Sequence, residues 1–362
     1  MVVQIGTAAA TPSGTGTLVF LKQFQAGVAG QGSPVAFAQF PSGAGGSRLV
    51  LTTSNPTDGY LTNSVDRSNA VLAGYDAASG TASVSGTANR VVGFAQMTAP
   101  NGLTGGLSIQ NSTSQASAYS NGTINSAVAL GDPGGTLTPT WTGGFGSTTT
   151  GGVRLINNNT LITSTATAVN SVDIYNNQLF ASSSSGTSGI YSVGSGTPQG
   201  VGNTMTLLIN TGSSAPNEFI ARFDSRVTSA NLPANAAGNN VFYVADSQTN
   251  GNGGIQRWAW NGTVWNNDYT IAVGGAFGVR GLAGRRDPIT DNTVLFASRS
   301  DGLELLQFTD VGSDLASEAT KILLATPTNN TVFRGVALAV IPEPTMGLIV
   351  VAGLFALRRY RL

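Results

Sequence analysis

Residues 295–308 read LFASRSDGLELLQF: a short apolar strand, a polar turn, and a second strand closed by an aromatic residue. The same unit stands at 179–191 (LFASSSSGTSGIY) and at 241–258 (VFYVADSQTNGNGGIQRW). Aligning the three places Phe180, Phe242 and Phe296 at one repeat position. A shorter echo joins Arg280-Gly281-Leu282-Ala283 to Arg334-Gly335-Val336-Ala337. Around these copies the pattern continues. Segments such as 17–25 (TLVFLKQFQ), 47–53 (SRLVLTT), 70–76 (AVLAGYD) and 90–97 (RVVGFAQM) are short, apolar or β-branched, and bounded by Gly, Ser, Asn and Asp. Many short strands at even spacing, without a sustained 3.6-residue apolar period, indicate an all-β chain.

Internal repetition decides between the all-β architectures. A strand, a tight turn, an aromatic-ended strand and a further strand make a four-stranded blade. Six or seven such blades fill residues 15–339, so the body is expected to be a β-propeller, similar to those of bacterial surface proteins. Radial repetition leaves only short, protected sheet edges. That suits a chain whose only lysines are Lys22 and Lys321, since edge lysines are a common guard against aggregation. The last strand, 333–339, is expected to share a blade with 17–25 and so close the ring.

Composition narrows the function. Hydrophobic residues make up 41%, enough for a core, but charged residues only 9%, against about 25% in ordinary globular proteins. The surface must therefore be covered by Ser, Thr, Asn, Gln and Gly. Net charge is zero, which removes the electrostatic footprint of a nucleic-acid binder. There is no cysteine and no histidine. Disulfides, thiolate or histidine metal sites and histidine general bases are excluded with them.

The C-terminus has a different character. Ile341-Pro342-Glu343-Pro344 blocks helix and central strand alike. Residues 345–357 carry no charge, and Arg358, Arg359 and Arg361 follow at the end. As a helix the apolar run is roughly 20 Å long, short for a hydrocarbon core of about 30 Å. Flanking arginines extend such a span by snorkelling and mark its cytoplasmic side. Pro-Glu-Pro, a short apolar helix and an arginine cluster, in that order and at the chain end, resemble the PEP-CTERM sorting signal of exosortase systems. The usual form has Val before the first proline; here it is Ile341. The resemblance covers 341–362 only. It implies export, a transient inner-membrane anchor, recognition by exosortase, removal of the tail, and a final place at the cell surface or outside the cell. Such proteins usually come from Gram-negative bacteria that make exopolysaccharide. Export needs a signal peptide, and 1–10 (MVVQIGTAAA) lacks a basic and apolar leader. Residues 1–14 are therefore read as a disordered or truncated N-terminus.

No constellation in the body announces chemistry. Asp287 and Asp291 beside Arg285 and Arg286, Asp301 with Glu304, and Asp310 with Asp314 read as turn carboxylates. Asp246, Asn250 and Asn252 offer oxygens of the kind calcium takes, but their loop lacks EF-hand spacing and reads as a hairpin turn; no cofactor is expected. Arg280 and Arg334 face the channel or pair with blade carboxylates, and pairing is the default. Trp258 and Trp260 share one strand face, which serves blade packing or, in the alternative, stacking on sugar rings. The expected role is structural or binding, in an exopolysaccharide matrix, and not enzymatic. The alternatives are a carbohydrate-binding adhesin and a metal-dependent propeller hydrolase of the lactonase or phytase kind.

Overall fold

A computed structural model describes residues 1–339 apart from 8–13, 44, 46, 53–55, 99–101, 115, 132–137, 213 and 313–314. It contains six four-stranded antiparallel sheets, the blades of a propeller. Strands are numbered β1 to β24 along the chain. Blade 2 holds β4 (Leu61–Asn63), β5 (Asn69–Asp76), β6 (Asn89–Thr98) and β7 (Gly102–Thr113). Blade 3 holds β8 (Ile124–Ala129), β9 (Thr140–Gly144), β10 (Gly152–Leu155) and β11 (Thr160–Thr163). Blade 4 holds β12 (Val169–Tyr175), β13 (Gln178–Ser183), β14 (Ser188–Val193) and β15 (Met205–Gly212). Blade 5 holds β16 (Pro216–Arg222), β17 (Val241–Asp246), β18 (Gly254–Trp260) and β19 (Trp265–Ile271). Blade 6 holds β20 (Val279–Arg286), β21 (Thr293–Arg299), β22 (Leu305–Asp310) and β23 (Thr320–Ala325). The first strand of each lies innermost, against the channel.

Blade 1 joins the two ends of the chain. Its innermost strand is β24 (Val332–Val336), followed outward by β1 (Val2–Ile5), β2 (Val19–Gln23) and β3 (Ala36–Gln39). Val2 pairs with Val336 on one side and with Lys22 on the other. The expected closure is thus present, and it includes a strand that the sequence reading missed. Residues 1–14 were expected to be a disordered or truncated N-terminus; within them Val2, Val3, Gln4 and Ile5 form a strand and are all buried. Four residues carry too little periodicity to signal a strand, and one of its two partners lies at the far end of the chain.

The space between blades is filled by apolar side chains. Phe180 from blade 4 meets Phe219, Phe242 and Val244 from blade 5 in one cluster, with the Phe180 and Phe242 rings edge to face at 5.6 Å. The repeat alignment needs a one-residue correction here. Phe180 pairs with Asp173 and Phe296 with Ala283, whereas Tyr243, not Phe242, pairs with the matching Ile220. Phe180, Tyr243 and Phe296 point toward the following blade; Phe242 points back. Phe180 and Phe242 are therefore partners across an interface, not equivalents.

A serine on the second strand locks neighbouring blades. Ser182 Oγ accepts from the Ser171 amide at 3.1 Å and donates to the Asn217 carbonyl of blade 5 at 2.6 Å. Ser298 Oγ repeats this between the Gly281 amide at 2.9 Å and the Arg334 carbonyl of blade 1 at 2.5 Å. The serine of the LFAS motif is thus an inter-blade bridge.

The expected helix over 345–357 and the sorting residues Pro342, Glu343, Pro344, Arg358, Arg359 and Arg361 lie outside the described residues. Among the described residues no helix is long and apolar enough to cross a membrane.

Candidate binding site at the channel mouth

Five of the six innermost strands carry a bulge near their start. The register slips between Ile124 and Ser126, Val169 and Ser171, Pro216 and Phe219, and Val279 and Gly281. It slips again between the pairings of Phe333 and Val336. A bulge inserts one extra residue and re-aims its side chain. The residues concerned are Asn125, Asn170, Asn217, Arg280 and Arg334. Blade 2 contributes Tyr60, just before β4, whose amide bonds the Asn125 carbonyl at 3.2 Å. Each blade thus places one polar side chain at the same end of the channel.

These six are used differently. Asn125 Nδ2 donates to the Val169 carbonyl of the next blade at 2.9 Å, and Asn170 Nδ2 to that of Pro216 at 2.7 Å. Both are staples between blades. Tyr60 Oη reaches from blade 2 to Asn217 Oδ1 of blade 5 and so bars the mouth across its diameter. The bar leaves the asparagines of blades 3 and 4 on one side and the arginines of blades 6 and 1 on the other.

Arg280 and Arg334 break the pattern. Pairing with blade carboxylates was the expectation; neither guanidinium makes an ion pair or donates a hydrogen bond among the described residues, and both Nε atoms are buried without a partner. Arg334 is 6% exposed. Its stem packs on the Gly59 backbone, where a Cβ would sit 3.5 Å from the Arg334 Cβ. Burial, and then the like charge of Arg280 beside it, bring the Arg334 guanidinium down to about 10. The carboxylates whose charges act on the pair are engaged elsewhere. Asp301 is held by Arg299 at 2.9 and 2.8 Å, and Asp58 lies near the Thr52 amide and the Tyr75 hydroxyl, at 3.4 and 3.5 Å.

Deeper in the channel, Glu218 reaches out of blade 5. Its Oε1 accepts from the Leu61 amide of blade 2 at 2.7 Å. Its Oε2 accepts from Leu282 of blade 6 at 2.5 Å and Val336 of blade 1 at 3.3 Å. One carboxyl group ties four blades together. Burial holds it well above the usual carboxylate range, against the pull of the three amides.

The opposite end of the channel opens into a cavity of about 320 Å³ lined by Asn63, Ser64, Arg67, Asp173, Tyr175 and Asn176, among others. Burial pushes the Asp173 carboxyl up to about 7. The residue keeps part of its surface open to the cavity, so solvent screening trims its contribution to stability. A raised carboxyl means that the folded state holds its proton to higher pH than the unfolded chain does. The stability it adds is complete below about pH 4 and disappears as pH rises through about 7. Glu218 and Asp246 share this sign. Thermal unfolding at constant ionic strength should give a Tm that falls from pH 4 to 8, with a shallower fall in Asp173→Asn. An unchanged slope in that variant would clear Asp173 of the effect. A second hollow, about 340 Å³ and lined by Phe20, Pro34 and Phe37 among others, lies against blade 1. Few polar groups converge there, and ligand sites need them.

The other candidates have structural employment. Trp260 is 6% exposed, donates from Nε1 to the Ala230 carbonyl at 2.8 Å, and packs edge to face on Trp265 at 5.6 Å. Trp258 is half-buried against the blade 4–5 cluster. Trp258 packs between blades 4 and 5, while Trp260 is buried within blade 5 against Trp265. Asp246 accepts from the Ala215 and Gln248 amides and from Gln256 Nε2, at 3.0, 3.1 and 3.0 Å. Asn250 Oδ1 accepts from the Asn252 amide at 3.1 Å, closing a hairpin turn. Among the described residues no group of three or more acidic side chains could hold a metal ion.

Asp287 does cap its turn, through the Ile289 and Thr290 amides. Asp291 binds Arg222 and Arg286, and Glu304 binds Arg299. Asp310 is more than a turn residue: it is buried and accepts from the hydroxyls of Tyr243 and Tyr269, at 2.6 and 2.7 Å. Asp314 lies outside the described residues. No protein-family model matches the chain, and a search of curated proteins finds no match.

Proposed function

We propose that this propeller is an exported binding protein, sorted by an exosortase through its Pro342-Glu343-Pro344 tail and carried to the cell surface or an exopolysaccharide matrix. The observation that carries the binding role is the mouth ring, where six blades converge polar side chains and, among the described residues, two cations stand without partners. The buried channel carboxylate, Glu218, is engaged by three backbone amides, which suits a scaffold better than an acid–base catalyst. The tail supports export through its composition: a Pro-Glu-Pro break, an uncharged run over 345–357, and three arginines at the end. The low share of charge, 9%, leaves a surface of hydroxyl and amide side chains, which suits contact with a polysaccharide.

Expression of the full-length chain, with an epitope at its C-terminus, in an exosortase-positive host tests the sorting step. The epitope should be lost and the body should move from the membrane fraction to the surface or the medium. Glu343→Ala should leave most of the chain full-length and membrane-bound. Intact mass spectrometry reads both. A wild-type chain that keeps its tail in that host overturns the sorting reading.

A further inference from the structure

The mouth positions are structurally equivalent, yet they are filled in two ways. Blades 3 and 4 carry asparagines whose side-chain amides are donated to the neighbouring blade. Blades 6 and 1 carry arginines that donate to nothing among the described residues. An arginine buried as Arg334 is, beside a half-buried Arg280, is rarely left unpaired, and the two charges repel each other. Stability alone would favour asparagine here as well. An arginine pair kept at such a cost points to an absent acceptor. The guanidinium is a planar fork of donors matched to the two oxygens of an oxyanion. The Tyr60–Asn217 bar confines that acceptor to the half of the mouth beside blades 6 and 1.

We infer that Arg280 and Arg334 form an anion-binding site at the channel mouth that takes the carboxylate of an acidic sugar. The anion chemistry stands on the two guanidiniums. The choice of an acidic sugar rests on the matrix reading above. The carboxylate accepts from both arginines, and the sugar ring stays outside the Tyr60 bar, because Glu218 and its amide partners close the channel below.

The test uses the purified full-length chain, read by thermal shift and isothermal titration at fixed ionic strength. The probes are sodium glucuronate, glucose, sodium sulfate and sodium phosphate. Glucuronate should raise the Tm and give a saturable heat in the millimolar range or tighter, while glucose does neither. The double variant Arg280→Asn/Arg334→Asn installs the residue that blades 3, 4 and 5 already carry. It should lose the glucuronate response, and its own Tm should equal or exceed that of the wild type. A purely structural pair would lower the Tm instead. If the double variant does not fold, Arg334→Lys is read in its place: it keeps the charge, loses the fork, and should bind glucuronate about tenfold more weakly.

Saturable binding of sulfate or phosphate without glucuronate would overturn the carboxylate assignment. A wild-type chain that answers to none of the anions, or an unchanged response in the double variant, would overturn the site. Sorting is scored separately by tail loss in the exosortase-positive host, so either reading can fail without the other.

Discussion

Replacing Glu218 with alanine should cost the fold about 3–5 kcal/mol, because three buried amides lose their acceptor together. The Leu61, Leu282 and Val336 N–H groups all donate to this carboxyl group. Each belongs to the innermost strand of a different blade, so none can turn to a neighbour within its own sheet. Water entering the vacated space offsets part of the loss, which keeps the figure below three full penalties. Glu218→Gln retains one oxygen acceptor but sets an NH2 group against an amide donor, and should cost roughly 1–3 kcal/mol. Equilibrium denaturation in urea reads both. A Glu218→Ala variant within 1 kcal/mol of wild type would mean that the channel is not held together here.

Gly335→Ala should be as damaging, for a steric reason. A Cβ at this position would lie 2.1 Å from the Leu61 nitrogen and 2.5 Å from the Gly59 carbonyl oxygen. Both are backbone atoms of blade 2, and Gly335 itself donates to that carbonyl at 2.9 Å. No rotamer change relieves such a clash; the whole of β24 must shift. Because β24 is the strand that closes the ring, the expected loss is about 3 kcal/mol or more. Gly86→Ala is the matched control, since nothing stands within 4 Å of its Cβ position. It should change stability by no more than about 0.5 kcal/mol. Equal behaviour of the two variants would contradict the close approach of blades 1 and 2.

The repeat at 179–191, 241–258 and 295–308 was enough to indicate a propeller, because its turns and apolar runs are local. Closure by 333–339 was legible for the same reason. The number of blades was not, since the strand–turn–aromatic unit is not repeated in blades 1 to 3; the structure sets it at six. The strand Val2–Ile5 was hidden because it is only four residues long and one of its two partners, β24, lies at the other end of the chain. The Phe242 misalignment arose because apolar residues fill both faces of an inter-blade strand, so a shift of one costs no hydrophobicity.

The mouth ring was the least legible feature. A bulge adds one residue and breaks the period of two, so Asn125, Asn170 and Asn217 looked like ordinary strand or turn residues. Only Arg280 and Arg334 stood out, through the Arg-Gly repeat, and general preference favoured carboxylate partners that the described residues do not supply. Glu218 sat inside an unremarkable strand, 218–224 (EFIARFD). Its role depends on amides from three other blades, which no local reading of that strand contains.

The direction of β24 has a consequence for display. The strand runs from Arg334 at the ringed mouth toward Leu338, whose carbonyl and amide are both held by the Asn63 side chain at the far end of the channel. The chain therefore departs from the face opposite the arginines, and the Pro-Glu-Pro segment follows within a few residues of Ala339. Under the proposed sorting, the end of the channel that carries the Asp173 cavity would be the one nearer the tether, and the arginine ring the one farther from it. A sorting tail placed there would act as a compass, turning the cationic mouth toward whatever polymer lies beyond the membrane until the tether is cut.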